Sequence, residues 1–513
     1  MSDESEIDSG KVYARPLRRI LFVALFGLIA LMAMMVMTSE PAEAVVIAGP
    51  VTWNTPQVWA EDVTIIAGGD LTIQGTTVTM VPFFDGMWEI RVQSGGTLTV
   101  DQSTITSGSP FRYDFWIDQG SRATFIDSQI QFAGYNGPLS SMGIHVSTDA
   151  ITFSGTIVTN GGMHGIYWDT PTPISALTLN GCEVAWNLGH GIYIDDSAAS
   201  DYILQINSFT DIHDNGWSGV FFEQMGSKNL LVDVIDSMIT NNGGSGVYVW
   251  GIAGGGDARL TVQGSDISNN FGENVIIRRV NSGLVDIRAF NSNFDFSSVG
   301  AGIYVGQVGA GGFGGISVSL DQSFVVGNGA QGIFVAGISV GDMFVDIMDT
   351  SIERNGLMFG GDGVRMAMPA PGRLVSFSAL RSSFSSNLGS GIHIVEANPG
   401  DVRVGIDTCT IQTNSDMGLY VGPVVSTGSN GLQIDVVNSD LRGNGNTNGV
   451  ILLGGLTNGN GWINIDNNDF NNSYAALYVA SALQTTTGSG DILTITFTNN
   501  WVVSDWSEYG VRF

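Results

Sequence analysis

The feature that most constrains this chain is a repeat anchored on a glycine. A glycine precedes an apolar-x-apolar triplet about every 28 residues along most of the 513-residue chain. These anchors are Gly143, Gly165, Gly191, Gly219, Gly246, Gly302, Gly332, Gly363, Gly391, Gly418, Gly449 and Gly510, with Asn274 and Ala476 filling two gaps. A second triplet lies upstream in each unit and continues before the first anchor, which gives about 16 units. One repeat of this length excludes a series of ordinary globular domains.

The triplets predict strands, because apolar and polar residues alternate with period two and no helical period is sustained after residue 44. A leucine-rich repeat would need a helix or 3₁₀ turn in each unit, but residues 251–257 and 306–312 are glycine-rich turns. We therefore predict an all-β parallel solenoid of about 16 coils with about 28 residues per coil.

Two further columns support this register. Four residues before the anchor an Asn recurs, which predicts an internal ladder of amides and a left-handed turn conformation for these residues. Its members are Asn187, Asn215, Asn242, Asn270, Asn328, Asn387, Asn414 and Asn472, with Asn160 and Asn444 one residue out of step. Five residues earlier lies a column of small residues that includes both cysteines, Cys182 and Cys409, eight coils apart. At that separation they cannot pair within one chain, and we expect both to be buried.

The repeating pattern Ser/Thr/Cys, apolar, Asn, Gly, apolar-x-apolar resembles the right-handed parallel β-helix, or pectin-lyase-like, superfamily over roughly residues 50–513. The resemblance implies a right-handed parallel β-helix. It selects no chemistry, because the superfamily includes lyases, hydrolases, epimerases and non-enzymatic surface proteins.

The N-terminus reads as a targeting segment. Residues 20–37 are uninterruptedly apolar and follow a basic flank, and residues 42–44 form a small-x-small cleavage site. A cleaved signal peptide and a retained membrane anchor both remain open, and each delivers the rest of the chain outside the membrane. We predict a flank and signal or anchor at 1–44, an N-terminal cap at 45–70 and the β-helix at 71–513, in an extracellular or cell-surface protein.

Composition excludes one class of partner. The formal net charge is −29, with 19 Lys+Arg against 48 Asp+Glu, so no basic surface is available for nucleic acid. The acidic excess favours neutral partners or divalent cations.

The residue between the two apolar positions of the anchor triplet should face solvent. Many of these residues are aromatic, and the predicted ligand-binding stripe is Tyr167, Tyr193, Phe221, Tyr248 and Tyr304. Aromatic stacking that only stabilises the sheet is the alternative interpretation.

Two residues further on, three consecutive coils carry Asp169, Asp195 and Glu223, with Asp196 beside them. Stacked carboxylates repel, so such a row needs to splay into water, to bind a cation or to share protons. Asp169, Asp195 and Glu223 are the catalytic candidates, and all four residues are the candidate ligands for Ca²⁺, the only cofactor considered. His164 and His190 occupy adjacent coils just before the anchor and should touch each other, but a strand length should separate them from the carboxylates.

The leading functional prediction is an exported, non-catalytic surface protein that binds extracellular polysaccharide or an envelope protein through the aromatic stripe. The alternative is a polysaccharide hydrolase or lyase that uses the Asp169/Asp195/Glu223 face. Further predicted contacts are the membrane through residues 20–37, if these are retained, and self-association at the C-terminal coil, where Phe513 would leave an open edge.

Overall fold

The computed structural model describes residues 44–138, 141–169, 174–195, 201–226, 228–252, 256–278, 283–306, 314–336, 341–367, 373–394, 400–425, 431–444, 450–454, 456–457, 460–470, 475–479, 493–502 and 509–512. Within these ranges the secondary structure is strand and turn, and no helix has the length and apolarity needed to cross a membrane. The apolar segment 20–37 and Phe513 lie outside the described residues, so the signal or anchor and the open C-terminal edge stay predictions.

The first sheet is built from the anchor triplets. Its 18 strands, in stacking order, are Val45–Ile47, Val63–Ile65, Glu89–Val92, Asp114–Ile117, Ile144–Val146, Ile166–Trp168, Ile192–Ile194, Val220–Met225, Val247–Ile252, Val275–Ile277, Ile303–Val305, Ile333–Ala336, Val364–Ala367, Ile392–Ile394, Leu419–Val421, Ile451–Leu453, Ala475–Val479 and Tyr509–Arg512.

The second sheet is built from the upstream triplets. Its strands are Pro50–Trp53, Asp70–Gln74, Thr97–Asp101, Arg122–Ile126, Ile151–Ser154, Ile174–Asn180, Asp201–Asn207, Leu230–Ile235, Ala258–Gln263, Val285–Phe290, Ile316–Asp321, Met343–Met348, Leu374–Leu380, Asp401–Asp407, Leu432–Val437, Gly461–Asp466 and Leu493–Thr498.

The third sheet consists of short strands between the other two. They are Gln57–Trp59, Thr77–Met80, Thr104–Ser107, Gln129–Gln131, Ile157–Thr159, Glu183–Ala185, Asp211–His213, Met238–Thr240, Asp266–Ser268, Phe324–Val326, Ser351–Glu353, Ser383–Ser385 and Thr410–Gln412. A single bridge residue, Asn293, continues the stack between Asp266 and Phe324. A small extra ladder pairs Val424–Val425 with Leu456–Thr457.

Every strand pairs in parallel with the strand one coil away, as in the steps from Ile166 to Ile192 and from Ile192 to Val220. The partners of successive inter-coil hydrogen bonds are typically 27 or 28 residues apart. The predicted all-β parallel β-helix is therefore confirmed.

The anchor glycines are required by close packing between coils. A Cβ placed on Gly191 would lie 2.7 Å from the carbonyl oxygen of Gly219 and 2.7 Å from a methyl carbon of Ile212. Both contacts are shorter than real Cβ contacts, so any larger residue would push the coils apart.

The predicted asparagine ladder is present inside the described part of the rod. The Nδ2 of each Asn donates to the Oδ1 of the next, at 2.9 Å from Asn187 to Asn215 and 3.0 Å from Asn215 to Asn242. The ladder also contains Asn355. Because extra residues are inserted in this turn, Asn355 lies eight residues before its anchor Gly363 and not four, so the fixed spacing did not identify it. Asn472 lies outside the described residues.

One coil lacks a ladder Asn and is bridged from a neighbouring position. Asn274, which replaces an anchor glycine, accepts a hydrogen bond from Asn270 at 3.1 Å and donates to Asn328 at 3.2 Å. The side chain thus carries the ladder past the gap, which explains why this anchor is not glycine.

The predicted left-handed conformation belongs to a different residue. The positive φ falls one position before the ladder Asn, for example at Trp186, Asp214, Asn241 and Asn269. Asn160, which is one residue out of step, occupies this corner position instead of the ladder.

The small-residue column forms a second ladder. In most coils the backbone N–H of a member donates to the side-chain oxygen of the member one coil ahead, as from Cys182 to Thr210 at 3.2 Å and from Cys409 to Ser439 at 3.0 Å. Both cysteines are free and buried, as predicted. Burial raises the pKa of the Cys409 thiol to about 11, so it stays protonated and unreactive at neutral pH.

Replacing one ladder amide should destabilise the rod. In Asn242→Ala the backbone N–H of Asn215 loses its acceptor, and the Nδ2 of Asn215 loses one of its two acceptors and keeps the carbonyl of Val184. Buried donors without partners cost about 1–3 kcal/mol each, so the midpoint of thermal or urea unfolding should fall clearly. The exposed Asn54→Ala is the control and should leave the midpoint unchanged. Equal midpoints for the two variants would contradict a structural role for the ladder.

The first coils contain a stack of carboxyl groups at the position that glycine takes later. Glu89 and Asp114 pair directly in the first sheet, and the backbone N–H of Glu89 donates to Asp62 at 2.9 Å. Burial raises the pKa of Asp114 to about 7, and the neighbouring Glu89 and Asp62 charges act in the same direction. Burial also raises the pKa of Glu89.

This stack predicts stability that declines toward alkaline pH. A raised pKa means that the folded state holds the proton more tightly than the unfolded chain. The resulting stabilisation is complete below pH 3.8, the ordinary pKa of an aspartate, and is lost as the pH rises through about 7. Asp114→Asn should therefore reduce the fall in melting temperature between pH 5 and pH 8, whereas exposed Asp70→Asn should not. If the melting temperature of Asp114→Asn falls with pH as much as that of the wild type, Asp114 is not the source of the pH dependence.

Candidate active site

The predicted aromatic column forms a continuous stack on the first sheet. Adjacent ring centroids lie 5.1 Å apart for His145 and Tyr167, 5.4 Å for Tyr167 and Tyr193, and 5.4 Å for Tyr193 and Phe221. Tyr248 continues the stack edge-on to Phe221 at 5.2 Å. Beyond it Ile276 interrupts the aromatic run, and Tyr304 begins a separate contact with Phe334.

The prediction that these rings form an exposed stripe is wrong at its centre. Tyr167 is 2 % exposed and Tyr193 is 9 % exposed, and Ile276 in the same column is fully buried. Phe221, Tyr248 and Tyr304 are only partly exposed. Alternation along a strand gives the side of the sheet on which a residue lies, but neighbouring rings on that side bury one another.

The two central tyrosines point their hydroxyls at the predicted carboxylates. The Tyr167 hydroxyl donates to Asp195 at 2.5 Å, and the Tyr193 hydroxyl donates to Glu223 at 2.8 Å. Each donor lies one coil before its acceptor. Because Trp168, Ile194 and Phe222 pair in register, the residues that follow them, Asp169, Asp195 and Glu223, fall in one row across three coils.

Asp169, the first carboxylate of the row, has a different pair of donors. The Nε2 of His145 lies 2.8 Å from its Oδ1, and the hydroxyl of Ser147 donates to the same oxygen. The His145 ring lies edge-on between Trp116, at 4.9 Å, and Tyr167. All three carboxylates therefore receive a hydrogen bond from the preceding coil, in the same diagonal arrangement.

Burial raises the pKa values of both tyrosine hydroxyls well above the ordinary value of 10, and the accepting carboxylates raise them further. The two phenols therefore stay protonated at neutral pH and act as hydrogen-bond donors.

His164 and His190 touch, as predicted, with ring centroids 5.2 Å apart. The Nδ1 of His164 accepts the backbone N–H of His190 at 3.1 Å, and the Nδ1 of His190 accepts the backbone N–H of Ser218 at 3.1 Å. Burial lowers the pKa of each imidazole to about 3. Both rings are therefore neutral at physiological pH, with the proton on Nε2.

The expected separation between the histidines and the carboxylates is bridged by aromatic rings. His164 stacks on Tyr193 at 4.6 Å, and His190 stacks on Phe221 at 4.4 Å. Since Tyr193 also donates to Glu223, one continuous cluster joins imidazole, phenol and carboxylate. The histidines precede the strand, and their rings contact the rings that the strand carries on its outer face.

The predicted calcium site remains a prediction. No three His, Cys, Asp or Glu side chains among the described residues are grouped closely enough to hold a metal ion. Asp196, the fourth proposed ligand, lies outside the described residues.

Two members of the cluster were not identified from the sequence. Tyr202 is fully buried, and its hydroxyl donates to the backbone carbonyl of Asp195 at 2.7 Å, which fixes the main chain under that carboxylate. Trp217 lies edge-on to His190 at 5.1 Å. Trp217 could have been noticed as a large apolar residue in a turn, whereas nothing in the sequence singled out Tyr202.

The fold is similar to that of several solved polysaccharide-modifying enzymes. A variant of the periplasmic alginate epimerase AlgG is 13 % identical, with a TM-score of 0.47 over 63 % of this chain and 78 % of that chain. The A-module of the mannuronan C-5 epimerase AlgE4 of Azotobacter vinelandii is 11 % identical, with a TM-score of 0.29 over 86 % and 91 %. A PL6 family alginate lyase, AlyGC, is 10 % identical, with a TM-score of 0.16 over 94 % and 98 %. Protein-family models and curated proteins give no match.

The leading functional prediction, a non-catalytic binder with an exposed aromatic stripe, is contradicted by the burial of that stripe. Within the chain itself, the central rings of the proposed stripe are buried, and their hydroxyls are committed to carboxylates. These solved proteins share with this chain only the fold, a parallel β-helix.

Proposed function

We propose that this protein is an exported enzyme that acts on a polysaccharide, with Asp169, Asp195 and Glu223 as its acid–base groups. The observation that carries the proposal is the pair of tyrosine-to-carboxylate hydrogen bonds in successive coils, next to two neutral histidines. Titratable groups with shifted pKa values concentrated in one cluster are typical of catalytic sites. The alginate epimerases and lyase of similar fold modify polysaccharides, and this proposal belongs to the same broad class.

The charge of the cluster favours hydrolysis of a neutral chain. Asp195 and Glu223 accept hydrogen bonds from neutral hydroxyl donors, and carboxylate charge beside the sugar stabilises the oxocarbenium-like transition state of glycoside cleavage. A lyase or epimerase acting on a polyuronate would instead bring a polyanion to a chain with a net charge of −29.

The spacing of the row suits a two-carboxylate mechanism. Neighbouring coils lie about 4.8 Å apart, close to the separation of about 5–5.5 Å between the carboxylates of retaining glycosidases. A two-coil gap, about 9.6 Å, lies near the upper end of the inverting range. Asp195 is central, so it belongs to either adjacent pair, with Asp169 or with Glu223.

Tyr167 and Tyr193 are positioning residues in this mechanism. Each donates a hydrogen bond that holds one carboxylate in a fixed orientation. Tyr202 adds rigidity by binding the carbonyl of Asp195 from the inside of the coil. The neutral imidazoles lie further along the same face and supply Nε2–H donors.

Asp195→Asn should abolish turnover. Loss of an acid–base or nucleophilic carboxylate lowers kcat by about 10²–10⁴-fold. The wild-type protein should release oligosaccharides from a neutral polysaccharide, and the variant should not. The measurement is a mass profile of products from a panel of neutral and acidic polysaccharides, with calcium and with chelator. Asp233→Asn, on the outer face of the second sheet, is the matched control and should retain activity.

The products separate the possible reactions. Saturated fragments with new reducing ends indicate a hydrolase, and fragments with an unsaturated terminal sugar indicate a lyase. Loss of activity in Asp169→Asn or in Glu223→Gln identifies the second carboxylate. A panel that wild-type protein leaves unchanged, or an Asp195→Asn variant with full activity, would overturn the proposal.

A further inference from the structure

Trp217 is an exposed ring at the edge of the histidine pair. It is 47 % exposed and lies in the turn before the anchor Gly219. Its backbone N–H donates to the carbonyl of Gly189 at 2.9 Å, which fixes the turn to the preceding coil. Its ring centroid lies 5.1 Å from that of His190 and 6.2 Å from that of His164.

The surrounding rings determine how Trp217 is presented. His164 covers one face of the His190 ring and Phe221 covers the other, because they belong to the coils before and after it. Trp217 can therefore meet only the edge of this imidazole, at an interplanar angle of 73°. The indole is supported by the stack without being enclosed in it, so nearly half of its surface stays open.

The histidines contribute hydrogen-bond donors beside this indole. Each Nδ1 is occupied by a backbone N–H, which leaves the proton of the neutral ring on Nε2. No described residue accepts a hydrogen bond from either Nε2. His164 is 1 % exposed and His190 is 7 % exposed, so the pair places two nearly buried N–H donors next to an exposed aromatic face.

These groups lie in a band that runs along the strand direction. Trp217 lies in the turn before its anchor and contacts His190, and His164 stacks on Tyr193. Tyr193 lies on the strand and donates to Glu223 at the strand's far end. The band spans on the order of 15 Å from the indole to the carboxylate, the length of a few strand residues. That is the reach of a short oligosaccharide.

We propose that Trp217, His164 and His190 form a binding subsite for a neutral pyranose unit of the polysaccharide, so that the glycan lies along the strand direction from Trp217 toward the carboxylates Glu223 and Asp195. This inference rests on the proposed function and adds the substrate class and its direction. The apolar C–H face of the sugar stacks on the indole, while its hydroxyls accept hydrogen bonds from the imidazole Nε2–H groups. A sugar carboxylate would instead be repelled by the row at the other end of the band.

The test is tryptophan fluorescence of the full-length protein titrated with short β-linked neutral gluco- and manno-oligosaccharides and, for comparison, with oligouronates. Wild-type emission should change on addition of a neutral oligosaccharide, and Trp217→Ala should weaken that binding at least tenfold and raise KM. The control is Trp462→Ala, since Trp462 is 40 % exposed on the second sheet, and binding should be unchanged.

Two outcomes overturn the subsite: emission that responds to none of the neutral oligosaccharides, or a Trp217→Ala variant that binds as tightly as wild type. A preference for oligouronates overturns the predicted substrate class. The two proposals fail separately. Binding that depends on Trp217 without any turnover refutes the enzyme and keeps the subsite, whereas turnover with an unchanged KM in Trp217→Ala refutes only the subsite.

Discussion

Parallel backbone pairing between consecutive coils is the interaction on which the rest of this structure depends. It requires each residue to lie above its counterpart one coil earlier. Residues at equivalent positions therefore form columns, and a substitution changes the side chain within a column without changing the column's place on the rod. The asparagine and small-residue ladders, the anchor glycines and the stacked aromatic rings are all consequences of that register. Functional groups must also arise as columns, which is why the candidate site consists of neighbouring rows.

The site differs from the rest of the rod by substitution within existing columns. In later coils the position before the anchor carries Ser218 and Ser245, whereas the two coils of the site carry histidine. The outward position carries a phenol where a hydroxyl can reach a carboxylate one coil ahead. The proposed catalytic surface thus differs from the other coils in only a few outward residues, while the inward positions continue as Val, Ile and Leu.

The fold and the row Asp169, Asp195 and Glu223 could be predicted because both depend only on spacing. The burial of Tyr167 and Tyr193 could not, because it depends on what neighbouring rings cover. The contact of His164 with Tyr193 could not either, since His164 lies outside the strand and alternation says nothing of its direction. Asn355 escaped notice for a third reason, an insertion that broke the fixed spacing while the spatial column stayed intact.

We propose that a glycan is bound and cleaved on the outer face of the first sheet, between Trp217 and the carboxylate row. A crystal structure of Asp195→Asn with a neutral oligosaccharide, taken from the polysaccharide that the wild-type protein cleaves, would test this proposal. We expect the oligosaccharide to lie along the strands, with one sugar on Trp217 and a glycosidic bond beside residue 195. A ligand bound on another face, or running along the rod without reaching residue 195, would contradict it.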